Sequence, residues 1–146
     1  MHARPMTKRD FDQIVQVIDD WWGGLTRNLA QPVFFYELPD MNRVVDLDGR
    51  LAGFLFGFLT PTDPPVAYVH LVGVNPDFRR KGVGRFLYTW FEGEARSRGC
   101  DAVKATTTLG NEGQLLFHQA LGYDAHEIAD YAGPGRARIV FTKKLR

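Results

Sequence analysis

Val66-Ala-Tyr-Val-His-Leu-Val-Gly-Val74, then Asn75-Pro76-Asp77-Phe78, then Arg79-Arg80-Lys81-Gly82-Val83-Gly84-Arg85: this stretch, continued to Arg98, decides the fold. Its first part is apolar and β-rich, and Asn75-Pro76-Asp77 is turn chemistry that stops the strand. Beyond the turn, Val83, Leu87 and Trp90 recur at helical spacing with Phe86 on the flank, and Gly99 closes the helix. Gly82 and Gly84 therefore stand where a strand hands over to a helix. Residues without a Cβ let the chain turn tightly there and let a ligand approach the backbone amides.

The charges at this junction run against local stability. A helix N-terminus is partially positive and favours Asp or Glu, yet the chain places Arg79, Arg80, Lys81 and Arg85 there. Glu92 and Glu94 come later, and Arg96 and Arg98 sit at the C-terminal end where cations belong. A rule broken at one end of a helix that obeys it at the other points to function. Free amides, a helix dipole and four cations predict an anion site, most naturally for phosphate. A solvated basic turn is the plainer alternative. Neither G-x-x-x-x-G-K-[ST] nor G-x-G-x-x-G fits, because Leu87 holds the third glycine position of the latter.

Arg-x-x-Gly-x-Gly directly after the Val-x-Pro strand end resembles the acyl-CoA pyrophosphate loop of the GNAT superfamily of N-acetyltransferases, and the resemblance extends from about Thr7 to the end of the chain. It implies acetyl-CoA as co-substrate, bound by Arg79, Arg80, Lys81, Gly82, Val83, Gly84 and Arg85, with no metal. The strand before the loop, Leu71, Val72, Gly73 and Val74, is implied to offer backbone N–H groups to the thioester oxygen and the pantetheine amides, Gly73 easing a bulge. Asn111 through Tyr123 matches a second family motif: Asn, a small residue three positions on, Tyr four beyond that, and a closing Gly-Phe. Asn111, Gly122 and Tyr123 fit, Gln114 takes the small position and His118 the tyrosine. The resemblance places Asn111 and His118 at the CoA and makes His118 a candidate acid for the departing thiolate. A buried structural histidine is the other reading.

Acetyl transfer also needs a base, because an amine attacks a thioester only when neutral and a lysine-like amine is mostly protonated at pH 7. Many family members carry Glu or Asp on the strand, about four residues before its terminal Val; here that position is His70. An imidazole titrates near 6.5 and suits the role; a satisfied core histidine is the competing reading. Cys100 lies far in sequence from the loop, so direct attack of the amine through a tetrahedral intermediate is expected.

At 146 residues the chain is read as a single domain, 1–146. Its apolar share of 45% is ordinary, and a net charge of +1 gives no global case for nucleic acid or membrane. One cysteine excludes an internal disulfide and suits a reducing compartment. The longest apolar run, Leu51 to Leu59, is too short to span a bilayer, and no basic-then-apolar leader opens the chain. A cytoplasmic protein is expected, and a homodimer is plausible by family habit.

Thr7 caps a helix carrying Phe11, Ile14, Val15, Ile18 and Trp22, ended by Gly23-Gly24. A short helix runs from Pro32 to Leu38. Strands follow at Asn42–Leu47 and Leu51–Leu59, joined by the hairpin signal Asp48-Gly49; in the second, Phe54, Phe56 and Phe58 share one face and Gly53, Leu55 and Gly57 the other. After Gly99 come a strand at Ala102–Thr107, a helix capped by Asn111 and closed by Gly122, and strands at Tyr123–Ile128 and Arg138–Thr142. The fold expected is α/β: a GNAT-like sandwich with a mixed central sheet of about six to seven strands flanked by four helices. The acceptor, a primary amine on a small molecule or a lysine-like side chain, is expected near Asp19, Asp20, Trp21, Trp22 and Tyr131 of the loop from Asp130 to Gly135. A non-catalytic acyl-CoA-binding or sensory module is the alternative function.

Overall fold

The computed structural model describes residues 1–24 and 26–146. The order is β1 (Arg4–Pro5), α1 (Lys8–Trp22), α2 (Pro32–Tyr36), β2 (Arg43–Leu47), β3 (Arg50–Leu59), β4 (Ala67–Val74), α3 (Val83–Ser97), β5 (Ala102–Thr108), α4 (Glu112–Ala120), β6 (Asp124–Ile128) and β7 (Arg138–Lys144). The strands form one mixed sheet, β1-β2-β3-β4-β5-β7-β6, in which β4 and β5 are parallel and the other neighbours antiparallel. Single-turn 3₁₀ segments at Arg27–Leu29 and Pro76–Phe78, and the two-residue β1, are too short for sequence periodicity to reveal. Helix α2 stops at Tyr36 rather than Leu38 because the amides of Glu37 and Leu38 both turn back to the Val33 carbonyl.

Helix α1 begins as its sequence dictates. Thr7 accepts the Asp10 N–H at 3.2 Å while the Asp10 carboxylate accepts the Thr7 N–H at 2.8 Å, and Gly23 at φ 68° ends the helix. Arg4 pairs with Asp10 at 2.7 Å and Asp46 at 2.6 Å, tying β1 to α1 and β2.

Strand β3 divides the molecule into two apolar layers. Phe54 and Phe56 face Phe11, Ile14 and Ile18 of α1, while Leu55 faces Val83, Leu87 and Phe91 of α3. A Cβ on Gly53 would lie 2.5 Å from Val83 Cγ1, and one on Gly57 2.5 Å from Phe91 Cε2. Bare backbone at these two positions lets α3 lie close on the sheet.

β4 pairs with β3 along its whole length, and β5 with β7 along its whole length. Between β4 and β5, however, pairing is confined to Ala67↔Val103 and Tyr68↔Lys104. Beyond those pairs the strands part, splitting the sheet into a β1-β2-β3-β4 half and a β5-β7-β6 half. β4 also carries a bulge: Phe56 pairs with Leu71 but Gly57 with Val69, so His70 is the extra residue. The bulge is at His70, not at Gly73 as expected. Gly73 stays in register opposite Phe54, whose ring occupies the space a Cβ would take. The extra residue also changes faces. Ala67 and Val69 face the α3 layer, whereas His70 stacks on Phe34 of α2 and Leu71 joins the α1 layer.

Gly57→Ala tests the close α3 contact. Its methyl group would have to displace the Phe91 ring, so overpacking should cost about 1–3 kcal/mol. Urea unfolding should show a lower midpoint with an unchanged slope; an unaltered midpoint would mean that α3 does not rest on Gly57.

Candidate active site

The basic loop forms as a run of free amides. Asn75 anchors its start, donating to the Leu51 carbonyl at 3.0 Å and accepting the Asp77 N–H at 2.9 Å. Arg80, at φ 64°, and Gly82, at φ 79°, are both left-handed, the kind of turn that makes a concavity of amides for an anion. The first helical bond of α3 runs from Phe86 N–H to the Gly82 carbonyl at 2.9 Å. The amides of residues 80–85 before it have no hydrogen-bond partner among the described residues. Arg80, Lys81 and Arg85 are exposed and, among the described residues, form no ion pair. Arg79 is different: it donates to the Trp21 carbonyl at 3.0 Å, supplying a cation to a helix end whose last turn has no basic residue. A Cβ on Gly82 would meet Met1 Cε at an ordinary contact of 4.0 Å; Gly84 faces α4, a Cβ there lying 3.3 Å from Phe117 Cζ. These unpartnered amides and free cations, with Gly82 bare beside them, fit the diphosphate of an acyl-CoA.

From this loop the split leads back along β4. Leu71, Val72, Gly73 and Val74 pair with Phe56, Leu55, Phe54 and Gly53 on one side, and their β5-facing edge has no ladder partner among the described residues. His70 stands on the bulge near the point where the split closes. Its Nε2 lies 2.7 Å from the Leu29 carbonyl, which only accepts, so Nε2 carries the proton and Nδ1 keeps its lone pair. Its ring stacks on Phe34 with centroids 3.8 Å apart. Burial favours the neutral ring and lowers its pKa, opposed by the bond to Leu29.

His118 is placed otherwise than the resemblance implied. It is 3% exposed and stacked on Phe141 at 4.0 Å. Its Nδ1–H donates to the Gln114 carbonyl at 2.8 Å, and Nε2 accepts the Tyr88 hydroxyl at 2.6 Å. Both nitrogens are bonded inside the core, where the ring fastens α4 to α3. Asn111 caps α4, accepting the Gln114 N–H at 3.2 Å.

The acceptor residues also divide. Asp19 Oδ1 accepts the amides of Thr26 at 2.7 Å and Arg27 at 2.6 Å. Burial acts to raise its pKa, and these hydrogen bonds with the Arg27 charge outweigh it and lower the pKa. Asp19 thus holds the turn at Thr26 and Arg27 through Oδ1. Asp20 is exposed, Trp21 stacks on Phe54 at 5.9 Å, and Trp22 packs on the same apolar layer. Tyr131 is half exposed and close enough to Tyr68 to affect its titration. Sequence reasoning gave no role to the aromatic group around His70: Phe34 stacks on Phe58 at 6.1 Å, and Phe58 meets Tyr68 at 5.4 Å. Alternation along β4 was the available signal for Tyr68, two residues before His70 on the same face.

Burial also lowers the His118 pKa, opposed by its bond to Gln114. Between the lowered folded value and about 6.5 the unfolded chain binds more protons, so stability rises with pH through that window and levels off above it. Urea unfolding should therefore show the protein weakening as pH falls below about 6.5, with a contribution from this histidine of up to about 1.4 kcal/mol per pH unit. His118→Gln should flatten the dependence; an equally steep decline in that variant would contradict the assignment.

Residues 11–123 match the model of the Acetyltransferase (GNAT) family. The chain is 28% identical over 85 residues to the L-2,4-diaminobutyric acid acetyltransferase of Nocardia farcinica, covering 58% of this chain and 44% of that protein. It is 32% identical over 80 residues to an aminoglycoside N(6')-acetyltransferase type 1 of Acinetobacter genomosp. 13, covering 55% and 48%. The chain thus spans less than half the length of these two curated relatives. In fold it is similar to a GNAT-family protein of Desulfovibrio desulfuricans, with a TM-score of 0.85 and 18% identity over 99% of both chains. It is also similar to an aminoglycoside 6'-N-acetyltransferase in complex with coenzyme A, with a TM-score of 0.76 and 16% identity over 100% of this chain and 98% of that one. With the family model spanning most of the chain, and with the parted strands and free-amide loop that it carries, the protein belongs to the GNAT acetyltransferase family.

Proposed function

We propose that the protein transfers an acetyl group from acetyl-CoA to a primary amine by direct attack. One observation carries this reading: β4 and β5 part beyond Tyr68↔Lys104, and the opened edge runs on toward the unpartnered amides of residues 80–85. The amides of the loop, with Arg80, Lys81 and Arg85, hold the diphosphate. The free edge of β4 from Leu71 to Gly73 orients the pantetheine arm and donates hydrogen bonds to the thioester oxygen, which gains charge as the amine attacks.

His70 supplies the base. Its Nδ1 takes the proton of the attacking amine, and the Leu29 carbonyl, bonded to Nε2–H, fixes the tautomer and steadies the imidazolium that forms. The acceptor side is walled by Phe34, Phe58, Tyr68 and Tyr131, and Asp19 is committed to its turn. Both curated relatives bear names of amine acetyltransferases, which supports an amine acceptor here.

Incubating the protein with acetyl-CoA and a panel of primary amines should release free thiol with at least one of them. CoA binding without turnover across the panel would favour a binding module instead. Gly84→Asp should weaken CoA binding about 100-fold, because it pushes against Phe117 and sets a negative charge beside the diphosphate. Unchanged affinity by calorimetry in the folded variant would remove the loop assignment. His70→Ala should lower kcat by about 10²–10⁴, and part of the loss should return at alkaline pH as neutral amine accumulates. Full kcat at neutral pH in that variant would make His70 a packing residue.

A further inference from the structure

Acetyl transfer requires a proton for the departing sulfur as well as a base for the amine, and His118 is closed off in the core. We propose that Tyr68 is the general acid, its phenol lying across the closed end of the split and delivering the proton to the CoA thiolate. This inference rests on the acetyl-transfer reading above.

Four observations place it there. Tyr68 forms, with Lys104, the last residue pair before β4 and β5 part. Its hydroxyl reaches across to Thr106 Oγ1 on β5 at 3.0 Å, two residues beyond its backbone partner and so over the opening itself. It shares its face with His70, since its ring meets Phe58, which stacks on Phe34, which stacks on His70. Base and phenol thus stand two residues apart on one face, beside the bulge. Finally, either hydroxyl of the Tyr68–Thr106 pair can be the donor. When Thr106 donates, the phenol hydrogen is left free for the sulfur.

The chemistry balances. The amine nitrogen forms its bond to the carbonyl carbon and loses a proton to His70 Nδ1. The carbon–sulfur bond breaks with its electron pair going to sulfur, and the Tyr68 proton follows, giving amide and free thiol. Tyr68 phenolate then regains a proton from solvent and the His70 imidazolium releases one. An ordinary phenol, with a pKa of about 10, carries its proton throughout the neutral range. Burial, together with the neighbouring Tyr131, raises that of Tyr68 further, against the bond to Thr106.

The test compares wild type, Tyr68→Phe, and protein with 3,5-difluorotyrosine at position 68, a phenol of nearly the same shape but greater acidity. Tyr68→Phe should lower kcat by about 10²-fold or more, with CoA affinity near wild type. The difluoro protein should stay active, with the alkaline limb of its kcat profile moved to lower pH, a shift no packing role produces. Wild-type kcat in folded Tyr68→Phe, or an alkaline limb that ignores fluorination, overturns this inference alone. Absence of thiol release from the wild type with every amine overturns the acetyl-transfer reading and this inference with it.

Discussion

Two neighbouring parallel strands that pair at only two positions are the constraint on which this structure turns. An unpaired backbone group kept from water costs about 1–3 kcal/mol, so a sheet does not open without reason. Here each strand is fully held on its outer side, β4 by β3 and β5 by β7, so the opening does not unravel either half. What remains is a groove edged by backbone donors and acceptors, closed at one end by Tyr68 and Thr106 and leading at the other toward the loop before α3.

The elements around the split sort by what they must hold still. Helix α3 lies tightly on the sheet over Gly53 and Gly57, so the amides at its N-terminus stand on a fixed base. Glu92 of α3 accepts from Tyr123 at 2.7 Å and from Lys143 at 2.9 Å, fastening the helix to the far half of the sheet. Arg79 joins the loop to the end of α1 through the Trp21 carbonyl. On the opposite face, the bulge sends His70 and Leu71 toward the α1 and α2 side together, where regular alternation would have separated them. One inserted residue thus sets the imidazole beside an aromatic wall while the strand beyond keeps its edge to the split.

Much of this was legible in the residues. Turn chemistry at Asn75-Pro76-Asp77, glycines at a strand-to-helix junction and cations at the wrong end of a helix together marked the loop. Thr7 with Asp10, and Asn111 with Gly122, marked helix boundaries the structure keeps. Other features were invisible for physical reasons. A bulge leaves no trace in periodicity when its neighbours are all apolar, so Gly73 drew the expectation that His70 fulfils. His118 matched a motif position, but Tyr88 and Phe141, distant in sequence, decide that its ring turns inward. Asp19 looked like a free acid because the amides it binds belong to Thr26 and Arg27 across a turn.

Amide hydrogen exchange with and without CoA tests most directly whether the free edge of β4 and the loop amides form one binding surface. Occupation should slow exchange at residues 71–74 and 80–86 together, and leave the edge strand β6 from Asp124 to Ile128 unchanged. Protection confined to other segments, or none at saturating CoA, would contradict the claim that the open strand exists to bind an acyl-CoA.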